Sequence, residues 1–154
     1  MTARSLFIGT ALTLVCASAL AAPEPAAEVR ELFSAHEQAL NGHDLKGLMA
    51  LYVPGDKTVV MGTTPGERWV GGEQIADAYQ HFFADFDPGT IKRDCPWVLS
   101  DASGDIGWIN ATCEYQDSLK GVARTYALNV SAVLRKLDGA WKLQAMHFSN
   151  PTAP

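Results

Sequence analysis

Near the end of the chain, Trp141 to Asn150 reads WKLQAMHFSN, and its histidine and serine are types that move protons and orient ligands. An imidazole titrates near neutrality and serves as general acid or base. A hydroxyl both donates and accepts hydrogen bonds. In an alternating extended segment, residues two apart share a face. His147 and Ser149 are therefore expected on the side of Trp141 and Leu143, facing the core. A second histidine, His36, stands among Val29, Leu32, Phe33 and Leu40, at the spacing of one helical stripe. With Trp97, Trp108 and Tyr126 these residues suggest an aromatic pocket with a few converging polar groups, the pattern of a small-molecule site. In that reading His147 and His36 carry acid/base chemistry, and Trp97, Trp108, Tyr126 and Ser149 hold the ligand. The competing reading is structural: a histidine bonded to a backbone carbonyl and a serine at a strand end.

Motifs for other chemistries are missing. The run HEQAL (His36 to Leu40) begins like a zinc-protease helix, but Leu40 stands where the second histidine ligand belongs. No G-x-S-x-G elbow, P-loop or dinucleotide fingerprint occurs. The four histidines (His36, His43, His81 and His147) have no ligand spacing within any one element, so neither a metal nor a cofactor is expected. His81 falls opposite the apolar stripe of its helix and His43 lies in a turn, so both read as solvated.

The elements that must position these residues come in two blocks. Helical spacing covers Glu28 to Leu40 and ends at Asn41-Gly42. Asp44 then caps a short helix that turns Leu45, Leu48, Met49 and Tyr52 inward. A strand is expected over Lys57 to Met61, and Gly71-Gly72 opens a third helix with Ile75, Tyr79, Phe82, Phe83 and Phe86 on one side. From Pro88 the pattern becomes four strands: Thr90 to Ser100, Asp105 to Gln116, Val122 to Leu137 and Ala140 to Ser149. Pro96 marks a bulge or an edge. Several strands are apolar on both faces, which calls for helices on one side and a partner subunit on the other. The fold class is thus α+β, with the helices segregated onto one face of the sheet.

The first 21 residues read as a secretory signal peptide: Arg4, an apolar run from Ser5 to Leu20, and Ala19-Leu20-Ala21 as the cleavage site. Cys16 follows Val15, where lipidation requires a small residue, so a lipid anchor is not expected. Residues 22–27 form a leader, and 28–150 a single domain that is periplasmic or secreted, with no membrane attachment after cleavage. The 154-residue chain carries a formal net charge of −5, and the signal peptide removes one arginine and no acid. That balance argues against nucleic acid or an anionic membrane as partner. Cys95 and Cys113 flank the turn DASGD with matching parity across a hairpin. Export makes a disulfide feasible, the alternative being two separate small buried residues.

NGHDLKGLMALY, WVGGEQIADAYQHFF, GDIGWINATCEY and SAVLRKLDGAWKLQAMHFSNP together resemble successive landmarks of SnoaL-like proteins in the nuclear-transport-factor-2-like superfamily. The last segment is the most specific: strand, Asp-Gly turn, Trp, then His-x-Ser. The resemblance implies a cone: a curved, mostly antiparallel sheet with three N-terminal helices on its concave face, usually dimeric through the sheet. It does not imply one activity, because this superfamily holds isomerases, cyclases, hydrolases and binding modules. Ketosteroid isomerases use an aspartate base with a tyrosine and a protonated aspartic acid. Alignment with them puts the tyrosine position at His36, the base near Met61 or Gly62, and the neutral acid near Val133. None is the required type, so that mechanism is not expected. The resulting expectation is a domain that binds a small, largely apolar molecule, either with histidine-based catalysis or as a non-catalytic ligand- or protein-binding module.

Overall fold

The computed structural model describes residues 24–151. The expected signal peptide lies outside them. Helix α1 (Pro25–Asn41) begins three residues before the expected Glu28, with Pro25 at its first position. Proline is favoured there, since its missing N–H would have no intrahelical partner. Val29, Leu32, Phe33 and His36 form its buried stripe, and the Gly42 N–H closes on the Gln38 carbonyl at 2.9 Å. Helix α2 (Leu45–Ala50) starts as expected from Asp44, whose carboxylate accepts from the Gly47 N–H at 2.9 Å. Helix α3 (Gly71–Asp85) is anchored by fully buried Ile75. Among the described residues no helix is long and apolar enough to cross a membrane.

The strands are β1 (Val59–Met61), β2 (Arg68–Val70), β3 (Lys92–Ser103), β4 (Ile106–Leu119), β5 (Val122–Leu137) and β6 (Ala140–Ser149). They form one curved, unclosed sheet in the order β2-β1-β6-β5-β4-β3. Every pairing is antiparallel except that of β1 with β6. The short strand β2 was not among the elements expected from the sequence. The hairpin loops Lys120-Gly121 and Asp138-Gly139 both place two successive residues at positive φ. That conformation suits a two-residue turn between twisted strands, and an Asx-Gly pair adopts it at low cost. The core lies between one sheet face and the helices. Ile109, Cys113, Val130, Leu134, Leu143 and Met146 meet Val29, Leu48 and Ile75 there, all almost wholly buried.

Two bulges decide which residues reach that face. In β3 the register with β4 shifts between Asp94 and Trp97, at Pro96. Edge strand β3 tolerates a proline, and the extra residue reverses the alternation. Cys95 points inward and is joined to Cys113 by a disulfide with Cα atoms 4.0 Å apart. In β6 the partner of Val133 is Ala145 while that of Leu134 is Leu143, so Gln144 is the extra residue. Trp141 and Leu143 face the core before it; Met146 and Phe148 do so after it.

The opposite face carries Trp97, Leu99, Ile106 and Val133, all exposed, with half-buried Trp108 between Asp101 and Val133. Beside them Ser131 donates to Asn110 at 2.9 Å and Thr112 to Asn129 at 3.0 Å.

Candidate functional site

Between α1, α3 and the inner sheet face lies a cavity of ≈ 610 Å³. Most of its wall is apolar, from Ile75 and Phe82 on α3 to Leu128 on β5 and Met146 and Phe148 on β6. Three polar clusters interrupt that wall.

The first centres on His36, which is 3% exposed. Its Nε2 lies 3.0 Å from both the Tyr52 and Tyr79 hydroxyls, and those hydroxyls are 2.5 Å apart. Burial pushes the imidazole down to about 3, and the positive charge of Arg93 adds to the effect. Burial likewise pushes both phenols well above their ordinary value. All three groups are therefore neutral through the physiological range. The triangle supplies hydrogen bonds rather than a titrating acid, and it holds Tyr79 in the cavity wall.

The second cluster is Glu37 with Arg93. Helix α1 places Phe33, His36, Glu37 and Leu40 along the cavity at i, i+3, i+4, i+7, so Glu37 occupies a position of the apolar stripe. Its carboxylate pairs with Arg93 Nε, and the guanidinium lies over the Phe33 ring at 3.9 Å. Burial raises the Glu37 pKa and Arg93 opposes that shift; the net direction is upward. Beside them burial also raises the phenol of Tyr115, against the pull of Arg93.

The third cluster follows from the β4–β5 register, which puts Asp117 opposite Arg124 and Tyr115 opposite Tyr126. Asp117 is buried and holds Arg124 in a fork, with Nε at 2.8 Å and Nη2 at 2.7 Å. It also accepts from the Tyr126 hydroxyl at 2.8 Å. Tyr115 and Tyr126 stack with centroids 5.4 Å apart, and Arg124 covers Phe86 at 4.6 Å. Burial and the Asp117 bond push the Tyr126 phenol far up. Arg124 and Tyr126 line the cavity, with Asp117 behind them as a positioning carboxylate.

Of the residues singled out from sequence, His36 and Tyr126 line this cavity. Four others do not. His147 is exposed and pairs with Ser131, and Ser149 pairs with Asn129; the Gln144 bulge turns both to the outer face. Trp97 is 52% exposed because the Pro96 bulge reverses β3. Trp108 alternates with buried Ile109 and so shares the outer face. His81 is exposed as expected, whereas His43 stacks on Phe83 at 4.4 Å. Sequence reasoning passed over Glu37, Arg93, Arg124 and Asp117. A signal existed for two of them: Glu37 interrupts an apolar stripe, and Arg124 stands two residues before Tyr126 on the same strand face.

The fold and sequence agree on the family. The model of the SnoaL-like domain matches residues 29–153, and the chain belongs to that family. Among solved structures, a nuclear transport factor 2-like superfamily protein from Salmonella enterica superposes with a TM-score of 0.73 at 16% identity, over 83% of this chain and 92% of its own. A ketosteroid isomerase-like protein from Erwinia carotovora gives 0.69 at 25% identity, over 84% and 98%. An NTF2-like protein of unknown function from Pseudomonas putida gives 0.69 at 17% identity, over 83% and 87%. No curated protein matches the sequence.

Proposed function

We propose that this chain is an exported SnoaL-like domain, periplasmic or secreted, that binds a small, largely apolar molecule in its cone. The observation that carries this reading is the ≈ 610 Å³ cavity, within the size range of small-molecule sites and walled mainly by rings and aliphatic side chains. Tyr79, Arg124 and Tyr126 would orient the ligand, each already held by a neighbour. Such prior fixing lowers the entropy lost on binding. Native mass spectrometry of the mature protein tests the reading. A noncovalent adduct is expected in the native chain and not in Leu128→Trp, where an indole fills the cavity. An adduct equally abundant in both would place the ligand elsewhere.

A second reading, an acid/base enzyme, is favoured by Glu37: a carboxylate in the cavity wall whose proton affinity is raised. It replaces histidine as the candidate base, because His147 faces away and burial makes His36 a poor proton acceptor. The exposed apolar side chains on the outer sheet face support a homodimer through the sheet, leaving both cavities open.

A further inference from the structure

Arg124 uses only part of its guanidinium inside the protein. The group has five N–H donors in a fixed plane. Nε and one hydrogen of Nη2 go to the two oxygens of Asp117, at 2.8 and 2.7 Å. The other three, two on Nη1 and one on Nη2, have no acceptor among the described residues. One from each Nη forms the parallel end edge that fits a carboxylate. Asp117 has no exposed surface, whereas the Arg124 side chain is 35% exposed and its unpartnered Nη1 is open to solvent. In the cavity wall, the end edge is therefore the part that an occupant can reach. It is also held still, because Asp117 fixes one side and the guanidinium carbon lies 4.6 Å from the Phe86 ring centroid and 5.0 Å from that of Tyr126. We propose that Arg124 is the polar recognition point of the cavity, and that the occupant is a ring-bearing carboxylic acid bound as its anion through the Nη1–Nη2 edge.

The choice of a carboxylate follows from the donors. Two parallel N–H groups on a fixed cation match two oxygens, and such charge-assisted bonds are about twice as strong as neutral ones. Asp117 balances Arg124, Glu37 balances Arg93, and Glu67 adds a negative charge to the wall, so no general positive field draws an anion in. The attraction is local to the fork. Partial exposure keeps the bound carboxylate in contact with water, which limits the cost of burying it. Arg93 is the poorer candidate, since its side chain is only 12% exposed and its Nε already pairs with Glu37. The choice of a ring follows from strand alternation: Tyr126 and Leu128 continue the Arg124 face of β5 along the cavity wall, beside Phe82 and Phe148.

This inference rests on the small-molecule reading, and the test separates the two. 2-Naphthoate, its methyl ester and 2-naphthol share one ring system, but only the first is an anion near neutral pH. Fluorescence titration of the mature protein should show 2-naphthoate binding about tenfold more tightly than either neutral compound, although the ester is the more apolar. Arg124→Lys keeps a cation for buried Asp117 but has no second edge to offer. With circular dichroism confirming its fold, the preference should shrink to about threefold or less. In the native protein, NOEs from the ring protons beside the carboxylate should reach Phe86. Three results would overturn the inference and leave the cavity reading standing: 2-naphthoate no tighter than the neutral compounds, an undiminished preference in Arg124→Lys, or NOEs to Phe33 in place of Phe86. Binding of none of the three compounds, or binding unaltered by Leu128→Trp, would overturn both.

Discussion

Replacing His36 by glutamine should remove most of this protein's acid sensitivity between pH 7 and pH 5. In the folded chain the imidazole is held down to about 3 from an ordinary 6.5, by burial first and by Arg93 second. Between those two values the unfolded chain binds a proton that the folded chain refuses. Stability is therefore complete above about pH 6.5 and falls as the pH drops toward 3. Each pH unit inside that window costs about 1.4 kcal/mol. From pH 7 to pH 5 the loss is about 2 kcal/mol, or roughly 1 M in a urea midpoint if the slope is about 2 kcal/mol per molar. Glutamine keeps a hydrogen-bonding group near the Tyr52 and Tyr79 hydroxyls but does not titrate. Glu37, with its raised pKa, acts in the opposite direction, stabilising as it protonates. It is present in both proteins and cancels in the difference between native chain and variant. Urea titrations at half-unit pH steps provide the assay, with imidazole carbon shifts by NMR as the direct check. Parallel pH profiles for the two proteins, or a His36 resonance titrating near 6.5, would refute the reasoning.

Other consequences can be measured more briefly. Asp117→Asn removes the buried charge that holds Arg124 and Tyr126. Since Arg124 is about one-third exposed and can rehydrate, unfolding free energy should fall by about 2 kcal/mol; a change under half that amount would deny Asp117 its role. Cys95→Ser/Cys113→Ser opens a loop spanning 18 residues. About 3 kcal/mol of stability should go with it, and non-reduced native protein should show no reactive thiol in the described domain. On the outer face, Val133→Lys should convert a dimer mass in light scattering to a monomer mass, and a native protein monomeric at micromolar concentration would end the dimer reading. His147→Ala, on that same face, should leave 2-naphthol affinity within about twofold; a tenfold loss would mean that the residue reaches the cavity after all.

The fold was largely legible in the sequence because its signals are local. Stripe spacing marked α1 and α3, Asp44 announced the α2 cap, and Asp138-Gly139 announced the final hairpin. Site residues on helices followed from the same regularity, which put His36 in the core. On the strands the period of two carried the reading only as far as the next bulge. At Pro96 the proline gave warning of an irregularity, but not that Trp97 would turn outward. At Gln144 there was no warning, because glutamine carries no backbone constraint of its own. One extra residue there exchanged His147 and Ser149 for Met146 and Phe148 in the cavity. The carboxylate that acid/base chemistry requires was sought on strands by comparison with ketosteroid isomerases. The carboxylate found in the cavity wall, Glu37, is on α1 next to His36, where helical spacing alone would have placed it. Asp117 and Arg124 depend on cross-strand register, which a chain read in one dimension fixes only once the Lys120-Gly121 turn has been placed.

The central claim is that the concave side of the sheet, and not its exposed apolar outer face, takes the ligand. Methyl chemical-shift mapping by NMR with 2-naphthol compares the two faces in one experiment. Binding in the cone predicts shifts for Ile75, Leu128 and Met146, which line the cavity, with Leu99, Ile106 and Val133 unmoved. Shifts confined to the outer set, or none at saturating 2-naphthol, would contradict it.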